Sequence, residues 1–310
     1  MNILFMTSSE FSIPCLDRII RSDHKLVGIV THPDKPKGRE RKIKKSIIKE
    51  YSERNNIICL NPVDLKGKEF IGRLKKLNPE IGVIIAFRIL PKEVFTIPKF
   101  GTINVHPSML PEYRGAAPIN WAIINGEKEI GLSVFFINEE VDKGDIILQK
   151  KISIGQDETA GEMQHKLSIQ SPDLLMEVID KIQKGDITAV QQKKNGFKKA
   201  PKIKPQHMII NWSNTALDIH NLVRGLSTSP GAYTTYKNKR LKVFKTKIFD
   251  SENTKGNPGS VYISDLDKGL ILNTGKGMIQ ILELMKEGKK KMFIRDFLIG
   301  NRISEGEYFK

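Results

Sequence analysis

The chain has 310 residues, of which 39% are hydrophobic, and it carries a formal net charge of +16. This length is sufficient for two domains of ordinary size. The sequence contains no apolar run long enough to cross a membrane, and the opening MNILFMTSSEF lacks the long apolar core of a signal peptide, so we expect a cytoplasmic protein without a membrane partner.

Up to residue 106 the chain alternates between predicted strands and helices. The predicted strands are NILFM, KLVGIVT, NIICLN, IGVIIAF and GTINVH, and the predicted helices are FSIPCLDRIIRS, KKSIIKEYSERN and KEFIGRLKKLN. This alternation predicts an α/β domain with a doubly wound, Rossmann-like and mostly parallel sheet. A predicted helix in GAAPINWAIINGE and two predicted strands in GLSVFFIN and DIILQKKISI follow. The next segment, TAGEMQHKLSIQSPDLLMEVIDKIQKG, is predicted to form one long helix or two.

The segment QQKKNGFKKAPKIKP then separates two parts of different composition. It contains six lysines, two prolines and a glycine, and little that is apolar. Beyond it come one helix, TALDIHNLVRGL, a hairpin around Lys237–Lys239 and several short strands divided by glycine-bearing turns. We predict a catalytic domain at 1–190, a basic linker at 191–206 and a small C-terminal β-barrel of the OB type at 207–310.

Positive charge is concentrated in the last third of the chain. Residues 201–310 hold 19 Lys and Arg and 10 Asp and Glu. This excess favours a polyanionic partner, and nucleic acid more than membrane because no basic amphipathic helix is evident. Charge by itself is equally typical of a highly soluble surface.

The cysteines and histidines show no metal-ligand spacing. Cys15 and Cys59 lie in the apolar contexts IPCLD and IICLN, which is typical of unpaired thiols in a reducing compartment. The six histidines are mutually isolated. We predict no disulfide and no metal site.

Asn104 and His106 stand two residues apart on the predicted strand GTINVH. Side chains alternate along a strand, so both point to the same side, and Pro107 ends the strand. They therefore lie at the carboxyl end of a strand, where open α/β sheets bind their ligands. Taken alone, the pair is more typical of a strand end with a hydrogen-bonded histidine than of a functional site.

A carboxylate is available from the loop EEVDKGDI, in which Asp142 and Asp145 both qualify. An amide, an imidazole and a carboxylate suit acyl transfer in which the substrate supplies the nucleophilic amine. Ser108 is a poor nucleophile for a Ser-His-Asp arrangement, because it lies two residues from His106 in a proline-bounded turn.

These motifs together resemble those of the 10-formyltetrahydrofolate-dependent formyltransferases. The resemblance is carried by Asn104-Val105-His106, SMLP at Ser108–Pro111, RGAAPI at Arg114–Ile119 and DKGDI at Asp142–Ile146. Within that family the chain is similar to the methionyl-tRNA formyltransferases, through HPDKPKGRERKI, INW at Ile210–Trp212, VRGLSTSP, PGSV and GKKKM. The likeness spans essentially the whole chain.

The resemblance implies formyl transfer from 10-formyltetrahydrofolate to the α-amine of methionyl-initiator-tRNA. Asn104 and His106 would stabilise the tetrahedral intermediate, and Asp142, rather than Asp145, would orient His106. The folate site would be formed by a turn and by the segment after IIA, namely by Ser108, Met109, Leu110, Pro111, Phe87 and Arg88. Arg88 would contact the folate's glutamate tail or fold away from the pocket.

The resemblance also implies that the loop His32–Lys45 is a mobile arm that contacts tRNA. Its cations are Lys35, Lys37, Arg39, Arg41 and Lys42. Without the resemblance, a solvated loop is the better interpretation. Nothing in the sequence requires an obligate protein partner, so we expect a monomer.

Four other functions compete with this interpretation. A phosphoribosylglycinamide formyltransferase would be shorter and would lack the basic second domain, whereas a nucleotide-sugar formyltransferase has a similar first domain and length and is the main alternative. A dinucleotide-dependent oxidoreductase needs a glycine-rich turn after the first strand, and MTSSEF has no glycine. A non-catalytic RNA-binding protein leaves Asn104, His106 and Asp142 unexplained.

Overall fold

The computed structural model describes residues 1–37, 42–193 and 196–310, with side chains omitted at 35–37 and 42–44. The described chain forms two compact units. The first consists of Met1–Gly115, Gly131–Ile152 and Gln164–Lys199, and the second of Ala116–Ile130, Ser153–Met163 and Ala200–Lys310. The functional division at 190 and 206 stays a prediction.

Seventeen strands and eight α-helices are defined in this part of the chain. The strands are β1 (Asn2–Thr7), β2 (Lys25–Val30), β3 (Lys35–Lys37), β4 (Lys42–Lys44), β5 (Cys59–Leu60), β6 (Ile81–Ile85), β7 (Thr102–His106), β8 (Arg114–Gly115), β9 (Glu129–Phe136), β10 (Ile146–Ser153), β11 (Lys199–Ala200), β12 (Ala232–Tyr236), β13 (Lys239–Asp250), β14 (Val261–Asp265), β15 (Gly269–Asn273), β16 (Met278–Lys286) and β17 (Met292–Phe293). The helices are α1 (Ile13–Ile20), α2 (Ile47–Arg54), α3 (Lys68–Lys76), α4 (Lys92–Phe95), α5 (Pro118–Ile124), α6 (Ala160–Lys184), α7 (Ala216–Gly225) and α8 (Ile294–Ile299).

The large sheet has the strand order β10-β9-β7-β6-β1-β2-β5. The strands from β7 to β5 in this order run parallel to their neighbours, and β9 pairs antiparallel with β7. All five residues of β6 are buried, which is typical of a central parallel strand covered on both faces. The predicted mostly parallel α/β fold is confirmed.

Apolar packing on β1 shows how the sheet is covered. Leu4 and Met6 join a buried cluster that includes Phe70 and Leu74 of α3. Ile3 and Phe5 alternate with them, point to the opposite face and are fully buried too. Both faces of this strand are therefore core, which explains the unbroken apolar run NILFM.

Helix α2 shows how the sequence sets a helix start. Ser46 precedes the helix in an extended conformation, and its hydroxyl accepts the backbone N–H of Lys49. Serine is among the preferred residues at this position because it satisfies one of the free amides of the first turn. Helix α7 begins in the same way at Thr215, whose hydroxyl accepts the N–H of Asp218.

Five strands of the second unit form a sheet in the order β12-β13-β16-β15-β14, with β17 on β16. Each strand of this sheet pairs antiparallel with its neighbours. Lys237 and Asn238 connect β12 to β13, and both have positive φ, 47° and 59°, as a two-residue type I′ hairpin requires. The predicted hairpin at this place is confirmed.

The last residues of the chain close this sheet into a small barrel. Lys310 and Thr235 of β12 exchange backbone hydrogen bonds of 2.8 and 2.7 Å. On the other side, the N–H of Phe309 donates to Gly259 and the N–H of Val261 donates to Glu307, both at 2.8 Å. The C-terminal segment thus lies between β12 and the start of β14. The predicted small C-terminal barrel is confirmed, and its closing segment is one that no sequence pattern indicated.

Neither cysteine forms a disulfide. Cys15 is fully buried and lies 3.1 Å from the hydroxyl of Ser171, and burial raises the pKa of its thiol to about 12. Cys59 is partly buried and its pKa is also raised by burial. Both thiols are therefore protonated near neutral pH and unreactive. Within the described ranges, no helix is long and apolar enough to span a membrane.

Candidate functional site

Strand β7 carries the predicted pair Asn104 and His106 to its carboxyl end. The strand is held parallel to β6 through the pairing of Ile84 with Asn104, and antiparallel to β9. Ile103 and Val105, which point to the other face, are 0% and 2% exposed. Tight packing on one face therefore fixes the direction of Asn104 and His106 on the other.

Asn104 presents an unsatisfied polar group to a small cavity. Its side-chain oxygen is buried and has no hydrogen-bond partner in the described structure. A buried amide oxygen without a partner is costly, so this atom points to a ligand that supplies one. Asn104 and Asp142 both line this cavity, which has a volume of about 110 Å³.

His106 is held in one orientation by a backbone carbonyl. The ring is 5% exposed, and its Nε2 lies 3.1 Å from the carbonyl oxygen of Tyr113. A carbonyl oxygen only accepts hydrogen bonds, so Nε2 is the donor in this contact and Nδ1 is directed elsewhere. Nδ1 lies 4.0 Å from Oδ1 of Asp142, close enough for the carboxylate to stabilise a protonated ring.

Asp142, and not Asp145, is the carboxylate beside His106. Its side chain is 13% exposed, whereas Asp145 is exposed. The backbone N–H of Gly115 donates to Oδ2 of Asp142 at 3.0 Å, which leaves Oδ1 for the imidazole. The alternative that the residues alone left open is thus resolved by geometry: an amide, an imidazole and a carboxylate converge.

The turn from Ser108 to Pro111 is held in place by hydrogen bonds. Ser108 is fully buried and its hydroxyl donates to the carbonyl of Glu112 at 2.6 Å. The hydroxyl of Ser133 accepts the N–H of Leu110 at 3.0 Å and donates to the carbonyl of Ser108 at 2.6 Å. Leu110 is 3% exposed. These contacts make Ser108 and Leu110 part of a rigid support beside His106, and their contact with folate stays a prediction.

The two other turn residues differ in surroundings. Met109 lies against the backbone of Gly131, where an added β-carbon would come within 2.3 Å of the methionine sulfur. Pro111 lines a second cavity, described below. Met109 is thus packed against the protein, whereas Pro111 faces a cavity.

Phe87 and Arg88 border the cavity of Asn104, and their contact with folate stays a prediction. The guanidinium of Arg88 donates to the backbone carbonyls of Pro62 and Val63, the latter at 3.1 Å. Burial lowers the pKa of this guanidinium. The charged end of Arg88 is thus bound to the protein's own backbone at the border of this cavity, and its contact with the folate's glutamate tail stays a prediction.

A larger cavity lies on the other side of Asp142. Its volume is about 460 Å³, and Val141 and Asp142 line both cavities. The remaining lining residues are Pro111, Arg114, Gly115, Lys143, Gly196, Phe197, Lys198 and Lys199. Asp142 thus borders both a small, partly apolar space beside Asn104 and a larger space rich in cations.

The predicted tRNA arm falls partly outside the described residues. Backbone pairing joins β3 to β4 antiparallel, with Lys35 opposite Lys44 and Lys37 opposite Lys42. Arg39 and Arg41 lie outside the described residues. The arm therefore has a hairpin base that the sequence analysis did not predict.

Two side chains behind Asp142 were missed in the sequence. Gln192 and Arg114 form hydrogen bonds to each other, and Gln192 also bonds the loop of Asp142. Gln192 falls in the segment predicted as linker, where nothing in the local pattern marks it. In the described part of the chain no group of three or more His, Cys, Asp or Glu is placed to bind a metal ion.

Gly144 sets the course of the loop that carries Asp142. A β-carbon at this position would lie 1.6 Å from the backbone oxygen of Phe136, so the loop could not keep its path with any other residue. We expect Gly144→Ala to displace Asp142 and to lower kcat about 10²-fold, as misplacement by about 1 Å can do. Steady-state kinetics of the reaction at this site would measure this.

Gly72→Ala is the matched control for that substitution. Gly72 lies in α3, and nothing lies within 4 Å of an added β-carbon there. Alanine should stabilise this helix by about 0.5–1 kcal/mol and leave kcat unchanged. An unchanged kcat in Gly144→Ala would contradict the importance of this close approach.

Comparison with protein families and curated proteins agrees with this geometry. Residues 1–179 match the family described as formyl transferase, and residues 202–302 match its C-terminal domain. The chain is 40% identical over 308 residues to a methionyl-tRNA formyltransferase of Acetivibrio thermocellus, with 99% of each chain covered. It is 41% identical over 307 residues to that of Clostridioides difficile, again with 99% of each covered.

Solved structures share the fold at lower identity. HypX from Aquifex aeolicus has a TM-score of 0.68 at 19% identity, covering 98% of this chain and 48% of HypX. WlaRD, a sugar 3N-formyl transferase solved with dTDP and 5-N-formyl-THF, has a TM-score of 0.67 at 19% identity, covering 94% of this chain and 99% of WlaRD. These similarities show a common fold.

Proposed function

The chain belongs to the methionyl-tRNA formyltransferase family, and from this premise we propose that it transfers the formyl group of 10-formyltetrahydrofolate to the α-amine of methionyl-initiator-tRNA. The product is N-formylmethionyl-tRNA for translation initiation. The observation that carries the proposal is that Asp142 lies 4.0 Å from Nδ1 of His106 and lines the same cavity as Asn104.

The cavity beside Asn104 suits the formyl donor. Its lining includes Phe87, Leu90 and Phe135, which offer apolar surface to a flat ring system, and the unpartnered amide oxygen of Asn104 supplies a polar anchor. The pterin-containing co-substrate would lie here with its formyl carbon next to Asn104 and His106.

The reaction needs no nucleophilic side chain. The methionyl amine attacks the formyl carbon, a C–N bond forms, and the bond from that carbon to N10 of the folate breaks. The amide of Asn104 and the protonated Nδ1 of His106 donate to the oxygen on which negative charge develops. Asp142 stabilises the imidazolium and accepts the proton that the amine loses, and N10 of the departing folate gains a proton.

The larger cavity suits the acceptor end of the RNA. It carries the cations Arg114, Lys143, Lys198 and Lys199 and the ring of Phe197. Cations neutralise phosphates and an aromatic ring stacks on a base, so this space favours a nucleotide that brings the amine to Asp142. Contact of the predicted arm cations Lys35, Lys37, Arg39, Arg41 and Lys42 with the same tRNA belongs to this proposal.

We place this reaction in the cytoplasm and in a monomer, because the convergent side chains all come from one chain. Size-exclusion chromatography with light scattering at working concentration tests the monomer, and a stable dimer would contradict it.

Formylation assays with alternative amines test the function. The protein is incubated with 10-formyltetrahydrofolate and charged initiator methionyl-tRNA, free methionine or a nucleoside-diphosphate amino sugar. We expect formyl-methionine on the tRNA, and a KM for tRNA that rises with salt while the KM for folate does not, because phosphate contacts release counterions. Formylation of the amino sugar and not of the tRNA would overturn the proposal.

A further inference from the structure

Gln192 lies at an unexpected place for a residue of a linker. Its side chain is 6% exposed. Two residues earlier, the backbone of Val190 exchanges hydrogen bonds of 2.8 and 2.9 Å with Ile146, at the start of β10. The chain after α6 is therefore fixed against the end of the loop that carries Asp142, and Gln192 points into this region.

Every hydrogen-bonding position of the Gln192 amide is used. Its nitrogen donates to the carbonyl oxygens of Asp142 at 3.1 Å and of Gly144 at 2.7 Å. Its oxygen accepts from Nε and Nη2 of Arg114 at 3.0 and 2.6 Å. An amide has two N–H donors and two acceptor lone pairs, so the side chain is fully satisfied here.

These bonds form a closed ring around the carboxylate of Asp142. Gln192 holds the backbone of Asp142 with one end and the side chain of Arg114 with the other. Gly115, which follows Arg114 in the chain, donates its N–H to Oδ2 of Asp142 at 3.0 Å. Hydrogen bonds therefore hold both the backbone and the carboxylate of Asp142, and Gln192 links these two sets of contacts.

Asp142 needs such support because of its backbone conformation. Its φ is 55°, in the left-handed region that residues other than glycine rarely adopt. Such conformations persist where the surrounding structure over-determines them. The amide nitrogen of Gln192, which donates to the carbonyls of Asp142 and Gly144, supplies that constraint on both sides of Lys143.

We propose that Gln192 is a positioning residue for formyl transfer, which acts by holding the carboxylate of Asp142 beside His106. This rests on the proposed function, since it assigns a role within the same site. The hydrogen bonds of the Gln192 side chain are made to the Asp142 loop and to Arg114.

Two substitutions separate the parts of the interaction. Gln192→Ala removes all four hydrogen bonds, and we expect kcat to fall about 10- to 100-fold with little change in the KM for 10-formyltetrahydrofolate. Gln192→Glu has nearly the same shape and still accepts from Arg114, but a carboxylate cannot donate to the carbonyls of Asp142 and Gly144. We expect it to lose kcat to a similar extent.

Gln191→Ala is the matched control, because this neighbouring glutamine is exposed. It should keep the wild-type kcat. Thermal unfolding of each variant accompanies the kinetics. If Gln192→Ala does not fold, the isosteric Gln192→Glu decides: a folded Gln192→Glu protein with wild-type kcat overturns the proposal.

A double-mutant cycle with Asp142→Asn tests whether Gln192 acts through Asp142. We expect Gln192→Ala to add no further loss of kcat in the Asp142→Asn background, because the carboxylate that it positions is gone. The pH profile of kcat should shift in Gln192→Ala, which a purely structural loss of folded protein would not produce. If the two substitutions lower kcat multiplicatively, or if the pH profile of kcat is unchanged in Gln192→Ala, the proposed role of Gln192 is wrong.

The same cycle distinguishes this idea from the proposed function. If wild-type protein does not formylate methionyl-tRNA, or if Asp142→Asn alone keeps the wild-type rate, the proposed function or its site is wrong. If Asp142→Asn loses activity and folded Gln192→Ala and Gln192→Glu do not, only the role of Gln192 is wrong.

Discussion

Replacing His106 with alanine is expected to lower kcat/KM for formyl transfer about 10²–10⁴-fold. The substitution removes the Nδ1 donor to the developing oxyanion and the group through which Asp142 acts. The loss should appear mainly in kcat, because these contacts strengthen in the transition state rather than in the bound substrate. Single-turnover assays with preformed enzyme–folate complex would measure the chemical step directly.

His165→Ala serves as the control for removal of an imidazole. His165 is exposed on α6, and its loss should leave kcat/KM unchanged. Asn104→Ala should also reduce kcat, because it removes the other hydrogen-bond donor to the developing oxyanion. Full activity in folded His106→Ala protein would refute the site.

The other large effect is expected from Phe309 in the segment that closes the barrel. Its side chain is 2% exposed and stacks on Tyr236, with ring centroids 4.6 Å apart. Its ring centroid also lies 6.3 Å from that of Trp212 in an edge-on arrangement. Phe309→Ala should reduce the free energy of unfolding by about 3–5 kcal/mol, because it removes buried apolar surface and leaves a cavity.

Urea denaturation followed by tryptophan fluorescence can measure this loss. The chain has two tryptophans, and both Trp121 and Trp212 belong to the second unit. Tyr308→Ala is the control, because this neighbouring side chain is 46% exposed. Its effect should stay below about 1 kcal/mol, as for surface substitutions generally. Equal midpoints for the two variants would show that the last residues do not support the barrel.

Much of the first unit could be predicted because its signals are local. NILFM and IGVIIAF are uninterrupted apolar runs, and they became the central strands β1 and β6. KKSIIKEYSERN contains its own helix start at Ser46. Short elements such as α4 and α8 were missed, since four and six residues are too few to show a periodicity.

Part of the candidate site could likewise be predicted from local sequence signals, and part of it could not. The spacing of Asn104 and His106 on one strand determined that they share a face. Sequence alone did not choose between Asp142 and Asp145, because that choice depends on the course of a loop fixed by Gly144, Gln192 and the N–H of Gly115.

The sequence by itself thus determined the elements, the basic character of the last third and the residue types available for acyl transfer, since these follow from composition and periodicity over neighbouring residues. Only the tertiary structure decided which carboxylate meets His106, that Gln192 forms a hydrogen bond to the backbone of that residue, and how the C-terminal segment closes the barrel. Each of these is a contact between residues far apart in the chain, and its energy depends on distances that exist only after the chain has folded.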